Sequence, residues 1–227
     1  MSERCPVIAI DGPSGSGKGT VARGLARALG FHLLDSGALY RLVGLAGAKA
    51  GLAPGSPRHA EVAAAMAIRF GVGSDAQEQV FLDDEEVSGQ IRTEDVGNLA
   101  SQVASDPKVR AALTERQRGF ALPPGLVADG RDMGTVLFPK APLKIFLTAS
   151  ASARAQRRYN QLKDKGVDVN LVGLSLDIAE RDARDATRAV APLVAAADAI
   201  SIDSTTLTAD EVITRVLQLA RTRFITR

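Results

Sequence analysis

An open α/β fold built on a parallel sheet is predicted by three observations: short apolar runs recur along the chain, helical periodicities separate them, and a glycine-rich loop joins the first run to the first helix. The first run, residues 7–10 (VIAI), is fully apolar and partly β-branched, the texture of a strand buried on both faces. Residues 31–34 (FHLL), 126–128 (LVA), 143–147 (LKIFL) and 199–202 (AISI) resemble it, so five strands are expected. Val21, Leu25 and Leu29 recur four apart behind the first strand, with Arg23 and Arg27 on another face and Gly30 at the helix stop. Near the carboxyl end, Thr208 and Glu211 have capping-box spacing ahead of an apolar stripe of Ile213, Val216, Leu217 and Ala220.

Between residues 67 and 88 the texture changes. Ile68, Phe70 and Val72 alternate as in a half-buried strand, Gly73, Ser74 and Asp75 form a turn signal, and residues 79–82 and 85–87 flank Asp83-Asp84 as a small hairpin would. The alanine-rich stretch 63–65 reads as helix. A small antiparallel sheet is therefore expected inside an inserted subdomain, residues 38–118, with the α/β core formed by residues 1–37 and 119–227.

Composition narrows the function classes. The chain has 227 residues, enough for one compact core carrying an insertion, and its 45% hydrophobic and 24% charged residues exclude a disordered chain. A net charge of +2, 4% aromatics and no Trp argue against nucleic acid as a partner, through bulk charge or base stacking. The lone cysteine, Cys5, cannot close an intrachain disulfide, and His32 and His59 are too few for a histidine metal site; His32, within an apolar run, reads as structural. No apolar run approaches the roughly 18 residues of a membrane span, and Glu3 and Arg4 precede only a short one, unlike a signal peptide. A cytoplasmic protein without membrane contact, working as a monomer, is expected.

Chemistry concentrates first at Gly12-Pro13-Ser14-Gly15-Ser16-Gly17-Lys18-Gly19-Thr20, which matches G-x-x-x-x-G-K between a strand and a helix. Glycines let the backbone fold around phosphate oxygens, the helix amino terminus adds partial positive charge, and Lys18 supplies a mobile full charge for the outer phosphates. Gly19 stands where a Ser or Thr usually ligates Mg²⁺, so that hydroxyl is absent or displaced to Thr20. Asp129 ends the run 126–128 like a Walker-B acid and is expected to hold Mg²⁺ through water; Arg131 follows at the strand's carboxyl edge, where α/β proteins bind ligands. Arg181, Asp185 and Arg188 are spaced four and three apart, which by spacing alone describes one salt-bridged helical face. Arg154, Arg157 and Arg158 form a second basic face, followed by Lys163 and Lys165.

The G-K-G-T ending resembles the nucleoside monophosphate kinases. Residues 8–20, together with Leu34-Asp35-Ser36-Gly37-Ala38-Leu39-Tyr40-Arg41, Ala128-Asp129-Gly130-Arg131-Asp132-Met133-Gly134-Thr135 and Arg181-Asp182-Ala183-Arg184-Asp185-Ala186-Thr187-Arg188, resemble the bacterial cytidylate kinase family, in order, from about residue 6 to about residue 222. The resemblance implies a P-loop NTPase-type core whose five-stranded parallel sheet is flanked by helices, plus the inserted monophosphate-binding subdomain and a short mobile lid, about 154–166. It implies Mg²⁺- and ATP-dependent phosphorylation of CMP and dCMP to CDP and dCDP by direct transfer. Residues 12–20 would hold ATP. Lys18, Arg131, Arg157, Arg158 and Arg188 would act on the transferring phosphate, and the lid would close to exclude water. Arg41, Arg131 and Arg188 would bind the monophosphate, Arg181 and Asp185 the ribose hydroxyls with help from Ser101, while Ser36, Arg110 and Asp132 would read the base.

Two rivals remain at this level. Another monophosphate or small-molecule kinase, such as a UMP kinase, would differ in the base-reading set. A nucleotide-dependent switch of the GTPase kind would need an Asn-Lys-x-Asp motif, which the sequence lacks.

Overall fold

A computed structural model of the chain describes residues 5–72, 78–164 and 166–224. The turn expected at Gly73 to Asp75, Lys165 of the basic segment, and the amino-terminal Glu3 and Arg4 lie outside the described residues. Two compact units emerge, one made of Met1–Asp35 with Gln117–Arg227, the other of Ser36–Arg116.

The first unit carries β1 (Val7–Asp11), α1 (Lys18–Leu29), β2 (His32–Asp35), β6 (Leu126–Gly130), β7 (Leu143–Thr148), α6 (Ala151–Lys163), α7 (Leu171–Thr187), β8 (Ile200–Asp203) and α8 (Ala209–Phe224). The five strands pair in parallel in the order β2-β6-β1-β7-β8. Each apolar run of the sequence has become one of them. Every residue of β1 and β6 is buried, as central strands covered on both faces require. Val21 and Leu25 of α1 and Val212, Val216 and Ala220 of α8 join Ile8, Ile10, Ile145, Leu147 and Ile202 of the sheet in one core. α1 stops at Gly30, whose φ of 66° and N–H bonds to the Ala26 and Arg27 carbonyls make a left-handed cap. α8 starts with the expected box: the Thr208 N–H donates to Glu211 Oε2 at 2.8 Å, and the Glu211 N–H to Thr208 Oγ1 at 3.3 Å. Lys144, the one charge in β7, is buried and donates to Asp198 and to the Pro139 carbonyl. His32 stands exposed at the surface, bonded to the Pro123 carbonyl.

Parallel pairing sends all five strands to end on the same edge. Because β1 has β6 on one side and β7 on the other, the chain leaves β1 at the point where strand order reverses, which opens a crevice beyond the carboxyl ends. In register, Ile10 lies beside Asp129 and Asp11 beside Gly130.

The second unit holds α2 (Ser36–Lys49), α3 (His59–Ala65), a three-stranded antiparallel sheet of β3 (Ile68–Val72), β4 (Glu78–Leu82) and β5 (Glu85–Glu86), then α4 (Glu94–Val103) and α5 (Pro107–Arg118). Asp83 and Asp84, with φ of 47° and 69°, make the tight hairpin between β4 and β5, since the primed turns that match strand twist need left-handed central residues. The half-buried face expected for β3 is thinner than its alternation implies: Phe70 is 37% exposed although its partner Val80 is buried. Phe70 lies on an edge strand, paired on one side only, by β4.

Candidate active site

The loop after β1 owes its shape to contacts on its outer side. Gly12 passes so close to β7 that a Cβ would lie 2.1 Å from the Leu147 carbonyl oxygen, and Gly17, at φ 90°, turns the chain into α1. Four side-chain donors hold the loop's carbonyls. Lys18 Nζ donates to the Pro13 oxygen at 3.1 Å and Arg154 Nη1 to the Ser14 oxygen at 3.0 Å. Arg157 Nη1 reaches the Ser16 oxygen at 3.4 Å, and the Ser204 hydroxyl reaches the same oxygen at 3.0 Å. With its carbonyls engaged, the loop is preorganised before any ligand arrives.

Lys18 and Asp129 are both buried at the carboxyl edge. Burial holds the Lys18 ammonium below its usual range; Arg131 and Arg181 add to the depression, and Asp129 opposes it. Burial likewise pushes the Asp129 carboxyl up, against the pull of Lys18. Asp129 Oδ1 is buried without a hydrogen-bond partner, and a Cβ on Gly19 would stand 3.2 Å from Oδ2. Glycine at position 19 thus keeps open the space beside this acid. Thr20 is exposed and lines a cavity of about 330 Å³ with Gly15, Arg157, Arg158, Leu207 and Thr208.

The turn after β6 meets α7 through two crossed ion pairs. Arg131 Nε donates to Asp185 Oδ2 at 3.0 Å, and Arg188 Nη2 lies 3.6 Å from Asp132 Oδ1. One helical face holds Arg181 and Asp185 but not Arg188. That residue caps α7 in extended geometry, ψ 138°, so its guanidinium leaves the helix and reaches the turn. The helical spacing expectation fails there because the helix ends at Thr187.

Arg154 and Arg157 differ from the solvated basic face that their spacing describes. Arg154 is 6% exposed, donates to the Ala149 and Ser14 carbonyls and pairs with Asp182 at 2.6 Å. Arg157 also binds Ser204 through its hydroxyl and its carbonyl. Arg158, half-buried, is bonded to Gln161 and lines the cavity.

In the second unit, Ser36 is the first residue of α2 and is buried, as are Ser101 on α4 and Arg110 on α5. Arg110 donates to the Ala104 carbonyl at 3.3 Å, and its guanidinium stands 5.6 Å from the Tyr40 ring centroid. Arg41 Nη1 donates to the Ile91 and Thr93 carbonyls.

The sequence assigns Asp11, Asp182 and Ser204 no role at the loop and places Arg154 only on the basic face of the lid segment, yet all four lie at the loop or at the turn after β6. The only signal was a carboxylate at the end of an otherwise apolar buried strand, Asp11, since a buried charge must find partners. The other three are visible only once α6, α7 and the end of β8 are packed against the loop.

A preorganised phosphate loop with its lysine, a buried acid on the adjacent strand and convergent arginines define a P-loop nucleotide-dependent phosphotransferase. A family model described as cytidylate kinase matches residues 8–222. Curated cytidylate kinases are similar along nearly their whole length. That of Colwellia psychrerythraea is 54% identical over 97% of this chain and 98% of its own, and that of Azotobacter vinelandii 57% over 96% of each. The protein from Methylococcus capsulatus is 55% identical over 94% of this chain and 96% of its own. The chain belongs to the cytidylate kinase family. Among the described residues, no helix is long and apolar enough to cross a membrane.

Proposed function

We propose that this protein transfers the γ-phosphoryl group of ATP to CMP and dCMP, giving ADP with CDP or dCDP. The observation behind this reading is that Lys18 of the phosphate loop feels the charges of Arg131, Arg181 and Asp129, and that Arg131 belongs to the crossed pairs with Asp132, Asp185 and Arg188. A phosphate oxygen of CMP attacks the γ-phosphorus while the bond to the β,γ-bridging oxygen breaks. The nucleophile arrives as an anion, so alignment and charge stabilisation remain for the protein to supply.

Residues 12–20 hold the phosphates of ATP, with Lys18 on the outer ones, and the cavity bordered by Arg157, Arg158 and Thr208 takes the adenosine. Arg41, Arg131 and Arg188 meet the monophosphate. Arg181, Asp185 and Ser101 hold the sugar, and Ser36, Arg110 and Asp132 read the base. The insertion, residues 38–118, serves as the monophosphate-binding subdomain. Mg²⁺ fits beside Asp129, whose buried Oδ1 lacks a hydrogen-bond partner and whose Oδ2 faces the open space at Gly19, so Asp129 is the principal holder, through water. When bound there, the ion supplies charge neutralisation at the β- and γ-phosphates. Arg158 and the rest of the 154–166 segment act as the lid, while Arg154 and Arg157 keep its base on the loop. One chain holds every residue in this scheme, so a monomer suffices. ATP as co-substrate and a lone cysteine fit a reducing, cytoplasmic setting.

The test is ADP release with Mg·ATP and each of CMP, dCMP, UMP, dUMP, AMP and GMP. CMP and dCMP are expected to turn over fastest. Equal or faster turnover of UMP would favour a UMP kinase, and turnover of none would remove the kinase reading.

A further inference from the structure

Asp11 ends β1 immediately before the phosphate loop. Its two oxygens accept the N–H groups of Met133 and Gly134, each at 2.8 Å, across 122 and 123 residues of sequence. The side chain is 4% exposed. Met133–Leu137 is a single π-helical turn, and Asp132, its cap, makes no side-chain capping bond. The first two N–H groups of that turn would otherwise be orphaned in the interior; Asp11 satisfies both. Gly134 presses on the acid so closely that a Cβ there would lie 3.3 Å from Asp11 Oδ2 and 3.1 Å from Lys144 Cδ. The turn is therefore seated on Asp11 from two sides.

We propose that Asp11 is a positioning residue for the acceptor nucleotide: its carboxylate fixes the turn that presents Arg131 and Asp132, and ties that turn to the strand from which the phosphate loop springs. The inference rests on the reading of Arg131 and Asp132 as acceptor-site residues. A carboxylate is the side chain that suits the task, because both of its oxygens accept and neither donates. Asn of the same shape accepts one N–H and confronts the other with an amide donor. Arg131 and Asp132 then lose their fixed backbone, while the loop's own carbonyl contacts, which come from Lys18, Arg154, Arg157 and Ser204, are untouched.

The experiment compares Asp11→Asn with the wild type in three measurements. The first is CMP and Mg·ATP binding, each by calorimetry. CMP affinity is expected to fall about tenfold or more while Mg·ATP affinity stays within about threefold, since displacing a binding group by an ångström has effects of this order or larger. The second is steady-state kinetics: KM for CMP rises and KM for ATP does not. The third is backbone amide exchange, where Met133 and Gly134 should speed up in the variant while Val127 and Ala128 of β6 hold. If the variant does not fold, exchange in the wild type decides, and surface-like exchange at Met133 and Gly134 overturns the inference. Equal losses of CMP and ATP affinity, or no loss of either, also overturn it. A wild-type protein that binds ATP but not CMP overturns the acceptor reading and this inference with it.

Discussion

Asp132 and Arg188 stand 3.6 Å apart with both side chains almost completely buried, and beside them Arg131 meets Asp185 at 3.0 Å. The turn after β6 gives one cation and one anion, and the carboxyl end of α7 gives one of each. Each arginine is thus neutralised by an acid from the other element. Under the proposed roles of these residues, an anionic nucleotide would exchange partners within a set of charges already desolvated.

Removal of Arg188 tests that arrangement. Arg188→Met takes the countercharge from a buried carboxylate, and losses on breaking buried pairs run to about 3–5 kcal/mol. The 3.6 Å separation places the expected loss at the lower end, about 3 kcal/mol. Urea unfolding should show it, and the double variant Arg188→Met with Asp132→Asn should recover at least half. Strictly additive losses would mean that the two residues do not act as a pair.

Asp132→Asn alone addresses base choice. Cytosine offers an amino donor where uracil offers a carbonyl, so a carboxylate favours cytosine and opposes uracil. Hydrogen bonds to charged groups contribute about 1.5–3 kcal/mol, hence a preference of at least about tenfold. The variant should lose CMP activity and narrow the CMP-to-UMP ratio of kcat/KM. If Asp132 serves only as the partner of Arg188, both substrates fall together and the ratio stays put.

Lys18→Ala should fold normally and lose most of its turnover. A preorganised charge at the transferring phosphoryl accounts for about 3 kcal/mol or more, at least a hundredfold in kcat. Near-normal ADP release by the folded variant would contradict the loop assignment.

Arg154→Met should weaken ATP more than CMP. The guanidinium braces the Ser14 carbonyl and pairs with Asp182, so its loss leaves the loop less fixed. About a tenfold rise in KM for ATP, equivalent to ~1.4 kcal/mol, is expected with the fold retained by circular dichroism. A rise confined to KM for CMP would place the role of this arginine on α7 instead.

Asp11 gives stability a pH dependence of its own. Burial pushes its carboxyl up to about 6 in the folded protein, against an ordinary 3.8. The folded state therefore binds the proton more tightly. The contribution to stability is full below pH 3.8 and is lost as pH rises through about 6, by roughly 3 kcal/mol in total. Asp11→Asn should remove this slope between pH 4 and 6 in urea titrations. An unchanged slope would mean that another buried acid is responsible.

Much of this was determined by the sequence by itself. Five apolar runs became five parallel strands, Gly30 stopped α1, and Thr208 with Glu211 capped α8, because local burial demands and capping geometry are settled within a few residues. The family was equally legible, since its motifs are contiguous blocks. The tertiary structure alone decided which charges meet. Arg154 reads as one of three surface arginines, yet it is buried behind the phosphate loop, because β7 delivers the start of α6 there. Arg188 reads as the end of a helical face, yet it crosses to Asp132 because α7 stops one residue earlier. Asp11 shows only that a carboxylate ends an apolar strand, and its partners lie more than a hundred residues away on a turn that sheet register brings alongside. Long-range hydrogen bonds and ion pairs depend on where strands and helices pack, and nothing local in the chain encodes that placement.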